Sequence, residues 1–120
     1  MAKLTEADLM QFSGSANWYK HPPGMVYTDG VRFMAERAGA YWLIDAIASY
    51  QRDRLIMGNQ MLQEFQLWEL EVGEHHTATL TCKADSNYKP TITQQIEYTD
   101  FPFSIKLYVE GNTLLLPGEH

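Results

Sequence analysis

Cysteine is nearly absent from this sequence, and its scarcity excludes several classes of protein. Cys82 is the single cysteine among 120 residues, so the chain can form neither an internal disulfide nor a multi-cysteine zinc site. This usage is typical of a reducing compartment, and we predict a cytoplasmic protein. The sequence also lacks a run of about 18 uncharged apolar residues and an N-terminal apolar core, so neither membrane spanning nor secretion is expected.

Basic residues are scarce relative to acidic ones. Nine Lys and Arg stand against fifteen Asp and Glu, which gives a formal net charge of -6 at pH 7. The electrostatic field of this negative net charge repels phosphate backbones, and the sequence has no basic patches interleaved with aromatic residues. We therefore expect no direct binding of nucleic acid. The negative charge keeps a small domain soluble and also suits a basic protein partner.

Apolar residues, in contrast, are plentiful. They make up 45% of the chain, aromatics 12% and charged residues 20%, which is a globular composition. A chain of 120 residues can bury a core without disulfides or metals. We therefore predict that residues 1–120 form a single domain.

The N-terminal half has the signals of short strands and capped helices. A short helix is predicted over residues 6–12, followed by extended pieces at 17–20 and 25–27. Thr28 or Asp29 can cap a helix that begins near Gly30, and Gly39, which weakens a helix by about 1 kcal/mol relative to alanine, predicts a break. The apolar face beyond that break consists of Leu43, Ile44 and Ile47, and it should pack against a sheet.

The C-terminal half changes to strand alternation after the Gly58-Asn59 turn. Four or five strands are predicted, with turns at 73–74 and 110–112 and with the last strand, residues 113–116, at the edge. The predicted fold is an α+β domain in which helices pack on one face of an antiparallel four- to five-stranded meander. The other face should be solvated, with Thr79, Thr81, Thr93, Gln95, Lys106 and Tyr108 on it.

Three blocks carry a family resemblance: YTDGV at 27–31, AGAYWLIDAIA at 38–48 and IEYTDFP at 96–102. In these blocks the chain resembles a family of small uncharacterised bacterial proteins that also occur on mobile elements and in phages. The family brings no activity, cofactor or catalytic residue. The resemblance implies a compact intracellular accessory protein, with an inhibitor or adaptor that binds a host or phage protein as the expected role.

Residues able to perform chemistry have structural explanations. His75 and His76, if on a strand, point to opposite faces and cannot share a metal, so no metal site is predicted; we expect His76 to be partly covered and His75 to be solvated. Cys82 alternates with core-facing residues, which favours a small buried side chain over a nucleophile. Asp45, inside an apolar helix, needs water or a structural partner such as Arg52, Arg54, Lys106 or a tyrosine.

The Tyr-Thr-Asp triplet occurs twice, at 27–29 and 98–100, each time where an apolar run ends. Two carboxylates in one pocket could perform acid–base chemistry, but capping and turn roles explain both sites. We therefore predict no catalytic residue.

Our leading hypothesis is a non-enzymatic interaction module that binds a protein through an acidic, aromatic-bearing surface; an enzyme is not excluded. Tyr41 and Trp42 cannot both point into the core, so aromatic surface should remain for a partner. The alternative is a small enzyme or ligand-binding domain with a pocket between helices and sheet, and a homodimer through Trp42 or residues 113–116 is a third possibility. The candidate binding residues are Asp29, Tyr41, Trp42, Asp45, Tyr98 and Asp100, and no cofactor is expected.

Overall fold

The computed structural model describes residues 4–12, 17–21 and 24–119, in which the chain forms five α-helices and seven β-strands. The helices are α1 (Glu6–Met10), α2 (Asp29–Ala38), α3 (Tyr41–Tyr50), α4 (Arg54–Met57) and α5 (Gln60–Glu64). The strands are β1 (Trp18–His21), β2 (Met25–Thr28), β3 (Phe65–Val72), β4 (Ala78–Lys83), β5 (Ile92–Ile96), β6 (Ile105–Glu110) and β7 (Thr113–Leu115). Short 3-10 turns occupy Glu74–His76 and Pro117–Glu119.

The strands form one mixed sheet with the order β1-β2-β7-β6-β3-β4-β5. The predicted four- to five-stranded antiparallel meander is therefore wrong. The two N-terminal strands join the same sheet, because β2 pairs in parallel with β7, aligning Val26 with Thr113 and Tyr27 with Leu114. A parallel pair between segments so far apart in sequence leaves no local pattern that could have predicted it.

The strand predicted at the edge, β7, lies inside the sheet. It pairs with β2 on one side and with β6 on the other, where Val109 is opposite Leu114. Strand β6 pairs with β3 rather than with its predecessor β5, and β1 and β5 are the edges. Because both sides of β7 are occupied, this strand offers no free edge for the homodimer through residues 113–116 that the sequence left as a third possibility.

The main helical region follows the predicted pattern. Thr28 caps α2, since its Oγ1 accepts a hydrogen bond from the Val31 amide at 3.4 Å. Gly39 ends this helix with φ of 62°, a left-handed conformation that glycine adopts without a steric penalty, and α3 starts two residues later. The predicted break at Gly39 is confirmed.

Two short helices, α4 and α5, occupy the segment where the sheet was expected to begin. Asp53 caps α4 by accepting from the Leu55 amide at 2.9 Å, and Asn59 caps α5 by accepting from the Leu62 amide at 3.2 Å. Helices of four and five residues are too short to show an apolar period. Gly58-Asn59, which ends α4 and caps α5, was predicted to be a turn for that reason.

The main core lies between the helices and one face of the sheet. Leu43, Ile44 and Ile47 of α3 are fully buried in it, as predicted. The sheet contributes Trp68, Leu70, Leu80, Cys82, Leu107, Val109 and Leu114. Each of the five helices supplies at least one side chain to this core, so the helices share one face of the sheet. In the described part of the chain, no helix has the length and apolarity needed to cross a membrane.

Candidate functional site

The sheet face opposite the main core, which we call the open face, carries a second apolar cluster. This open-face cluster consists of Val26, Phe65, Leu67, Tyr108 and Leu115, none of which belongs to the main core. The strand register brings them together, since Tyr108 lies opposite both Leu67 of β3 and Leu115 of β7. The rings of Phe65 and Tyr108 meet edge to face with centroids 5.0 Å apart. Leu67 and Leu115 are only 5% and 7% exposed, so the cluster is packed.

Polar and charged side chains surround the open-face cluster. Toward β5, Thr79 pairs with Gln95 and Thr81 with Thr93, on the face that was expected to be solvated. Lys83 Nζ lies 3.1 Å from Glu69 Oε1 between this polar region and the cluster. The exposed charged side chains of the open face are Lys20, Glu71, Lys106 and Glu110. At the β1 edge, Trp18 presents 57% of its surface to solvent.

A cleft of about 960 Å³ opens at one end of the sheet, and we call it the hairpin cleft. It lies between the end of α2, the turn that joins β3 to β4, and residues 100–102. Its polar lining residues are Arg37, His75, His76 and Asp100. Val72 and the buried Phe101 give it an apolar floor.

Both histidines occupy the tip of a tight hairpin turn rather than a strand. Their φ angles are 58° and 61°, and the amide of Thr77 donates to the Glu74 carbonyl at 3.3 Å. This is the geometry of a type I′ turn, where Asn-Gly is the usual pair, and each non-glycine residue in the left-handed region costs about 1 to 3 kcal/mol. Both side chains are exposed, so the expected partial cover of His76 is wrong.

The turn is fixed against the segment that precedes β6. The amide of Thr99, which is 5% exposed, donates to the His76 carbonyl at 2.6 Å. The Oγ1 of Thr99 accepts from the Phe101 amide at 3.1 Å. The Tyr98 ring, 70% exposed, stacks on His76. Of the candidate binding residues, Asp100 lines the hairpin cleft, and Tyr98 contacts the cleft residue His76 without lining the cleft itself.

Asp29 and Asp45 do not line this cleft; they hold edge strand β1 against the helices. The Tyr19 hydroxyl donates to Asp29 Oδ1 at 2.9 Å, and His21 Nε2 donates to Asp45 Oδ1 at 2.6 Å. The expectation that Asp45 has a structural partner holds, but His21 is not among the partners that were anticipated. The candidate carboxylates therefore do not converge, since Asp100 lines the hairpin cleft while Asp29 and Asp45 lie beside β1.

Tyr41 and Trp42, at the start of α3, have different surroundings. Tyr41 is 41% exposed, and its hydroxyl donates to Glu36 Oε1 at 3.3 Å. Burial, followed by the charge of Glu36, raises the pKa of Tyr41, while the hydrogen bond from Arg32 lowers the pKa of Glu36. Trp42 is half-buried and packs against the main core. Of these two residues, only Tyr41 retains substantial exposed aromatic surface.

Cys82 is fully buried between Trp68 of β3 and Ile92 of β5. Burial raises the pKa of its thiol to about 12, so the thiol is protonated at neutral pH. The interpretation of Cys82 as a small core residue is confirmed. Within residues 4–12, 17–21 and 24–119, no three His, Cys, Asp or Glu side chains are grouped so that they could hold a metal ion.

Sequence reasoning missed Arg37 and most of the open-face cluster. A basic residue in the last turn of a helix is explained by the helix dipole alone, so Arg37 gave no separate signal. The sequence of β3 did contain a signal for the open-face cluster. Phe65 and Leu67 lie on one face of the strand and the core-facing Trp68 and Leu70 on the other, so both faces of β3 are apolar.

Comparison with known proteins gives a family and no activity. No curated protein and no solved structure matches the chain. The model of a family described only as being of unknown function matches residues 3–120. The chain therefore belongs to the family of unknown function DUF6876.

Proposed function

We propose that this protein is a non-enzymatic interaction module that binds another protein through the open face of its sheet. The observation that supports this function is the open-face cluster, which is apolar and separate from the main core. Antiparallel sheets with one wet face normally place polar side chains there. Val26, Phe65 and Tyr108 of this cluster are only partly buried, so they expose apolar surface on this face, and exposed apolar patches mark protein-binding surfaces.

The composition of the open face suits a protein partner. Tyr108, Phe65 and the exposed Trp18 are of the residue types that anchor protein interfaces, because a large rigid ring buries much area at little entropic cost. Charged side chains, including Lys20 and Lys106, lie around the apolar centre. An apolar centre with a polar rim is the usual organisation of a specific interface.

Charge favours a different protein over a second copy of this chain. Each copy has a net charge of -6, so two copies repel each other, whereas a basic protein is attracted. The partner we propose is a protein of net positive charge that presents an apolar surface; because Lys20 and Lys106 of the open face are balanced by Glu71 and Glu110, the attraction comes from the net charge of the whole chain. An inhibitor or adaptor role, in a protein encoded by a phage or mobile element and directed at a host protein, is the finer part of this proposal.

The test compares open-face variants with a matched variant on the helical side. Trp18→Ser and Tyr108→Ser change the open face, and Met57→Ser changes a residue of α4 with 59% exposure, close to the 57% of Trp18. Immobilised wild-type protein should retain a basic protein from an extract of the source organism. In direct titration with that purified protein, the open-face variants should bind about tenfold or more weakly, and Met57→Ser should bind normally.

Three results would contradict the proposal. The first is the absence of any retained basic protein, and the second is equal binding by the wild type and both open-face variants. The third is concentration-dependent dimerisation in light scattering that Tyr108→Ser abolishes, which would make a second copy the occupant.

Raising the salt concentration should weaken the proposed complex by slowing association.

A further inference from the structure

We propose that the hairpin cleft binds a small aromatic acid, a molecule with a carboxylate or phosphate group on a flat apolar body. This inference goes beyond protein binding at the open face, because the two surfaces lie on different sides of the sheet. Leu4 and Phe101, which line the cleft, belong to the main core, whereas the open-face cluster does not. Each site can therefore be tested without the other.

The size and lining of the cleft fit a ligand of this kind. Its volume, about 960 Å³, is that of a small-molecule pocket. Leu4, Val72 and Phe101 form an apolar floor, and a few polar groups stand above it. Ligand pockets combine apolar walls with a small number of orienting polar groups in this way.

Arg37 provides the anchor for the acid group. Its guanidinium lies over the Phe33 ring, 4.9 Å from the centroid, so the side chain is held at the cleft by stacking. In the part of the chain that the structure describes, Arg37 has no carboxylate within ion-pair distance, as is also true of Arg52 and Arg54, but of these three arginines Arg37 is the one that lines the cleft. A guanidinium held in place with its donors unpaired can bind a carboxylate or phosphate through two parallel hydrogen bonds.

The strained turn supplies the second part of the site. Asn-Gly would relieve the left-handed strain at positions 75 and 76, yet both positions are histidine. Strain of this kind is concentrated at functional sites, and here it brings two imidazoles to the lining of the cleft, where their N–H groups can donate to an oxyanion. The Tyr98 ring contacts His76 with centroids 5.4 Å apart, which helps to hold that imidazole in place at the cleft.

Asp100 limits where the acid group can lie. A carboxylate repels an anion, so the acid group belongs beside Arg37, and Asp100 accepts a hydrogen bond from a donor on the ligand. A purely anionic ligand with no apolar body would leave the floor of the cleft empty. Both features favour a substituted aromatic acid over free phosphate.

The experiment titrates the protein with four compounds: benzoate, phenyl phosphate, inorganic phosphate and the uncharged benzamide. Binding is measured from the NMR chemical shifts of the backbone amides. We expect saturable shifts at His75, His76 and Thr99 with benzoate or phenyl phosphate, and the stronger of the two identifies the acid group. Inorganic phosphate and benzamide should each bind about tenfold or more weakly. Arg37→Gln should weaken binding about tenfold or more, and Arg52→Gln, an exposed arginine away from the cleft lining, should leave it unchanged.

The double substitution His75→Asn with His76→Gly gives a second, independent measurement. It installs the preferred type I′ pair, so the fold is kept while both imidazoles are removed, and affinity should fall. Equal affinity for benzamide and benzoate, unchanged binding by Arg37→Gln, or no shifts with any probe at millimolar concentration would overturn the site. Loss of binding here leaves the open-face proposal intact, since the variants for that test are different.

Discussion

The imidazole of His76 stacks against the ring of Tyr98, with centroids 5.4 Å apart and planes inclined by 33°. This contact joins the tip of the β3–β4 hairpin to the segment that leads into β6. The hydrogen bond from the Thr99 amide to the His76 carbonyl fixes the same pair of segments through their backbones. A strained turn is thus held in one conformation by neighbours that lie far away in the sequence.

Replacing the histidine pair should stabilise the protein. His75→Asn with His76→Gly removes left-handed strain at two positions, and we expect the free energy of unfolding in urea to rise by about 1 kcal/mol after the loss of the Tyr98 stacking contact. The control is Tyr98→Ala, which removes the stacking alone and should lower stability slightly. A decrease in stability for the double variant would show that the turn is not strained.

Gly39 should tolerate alanine poorly for backbone reasons alone. A Cβ at this position would meet no atom within 4 Å, but φ is +62°, so Gly39→Ala should cost about 1 kcal/mol of unfolding free energy. Gly24 also has open space around its Cβ position and no positive φ, which makes Gly24→Ala the matched control with little change. Equal effects of the two substitutions in urea denaturation would contradict this account.

Glu119 and Gly30 should be energetically coupled. One Glu119 oxygen accepts from the Thr28 hydroxyl at 2.6 Å and from the Leu116 amide at 3.1 Å, and the other accepts from the Gly30 amide at 3.1 Å. A Cβ on Gly30 would lie 2.6 Å from this carboxylate, so Gly30→Ala should displace it. Each of Gly30→Ala and Glu119→Ala should cost about 1 to 3 kcal/mol.

The double variant tests the coupling directly. Since Gly30→Ala already disrupts the hydrogen bonds of Glu119, adding Glu119→Ala should cost clearly less than it does alone. Chemical denaturation of the four proteins in the cycle supplies the measurement. Strict additivity would mean that the carboxylate and Gly30 act independently.

The Cys82 thiol should be unreactive in the native state. Its pKa is raised by burial from the ordinary value of 9.0 to about 12, so iodoacetamide at pH 8 should modify it only when the protein unfolds. The unfolded chain ionises at the lower pKa, so this group leaves stability unchanged below about pH 9 and reduces it as the pH rises toward 12. Rapid alkylation without denaturant, compared with the urea-unfolded protein, would contradict the burial of Cys82.

Local signals predicted the parts of the fold that local chemistry determines. The Thr28 cap and the Gly39 break were both readable, because capping and left-handed glycine act within a few residues. The pairing of β2 with β7 could not be predicted in this way, because the two strands are far apart in the sequence and no local pattern specifies that they are neighbours. The same limit explains β6, whose apolar alternation identifies a strand but not its neighbour.

The candidate sites show a similar division. Tyr98 and Asp100 attracted attention because they lie where an apolar run ends; Asp100 lines the hairpin cleft, and Tyr98 contacts the cleft residue His76. Asp29 had the same signal, and Asp45 was singled out as a carboxylate inside an apolar helix, but both hold β1. Arg37 joins the cleft only through the packing of α2 against the end of the sheet, which no sequence pattern near it could reveal.

The position of β7 has a consequence for how the polypeptide is made. During translation, β1 and β2 are synthesised well before β7 (Thr113–Leu115), the strand with which β2 pairs. The nascent chain must therefore carry an unfinished sheet, and the cap that Glu119 places on α2 comes later still. The sheet is thus completed by a contact of large sequence separation, which favours slow folding, and β2 has an unpaired edge until β7 is present.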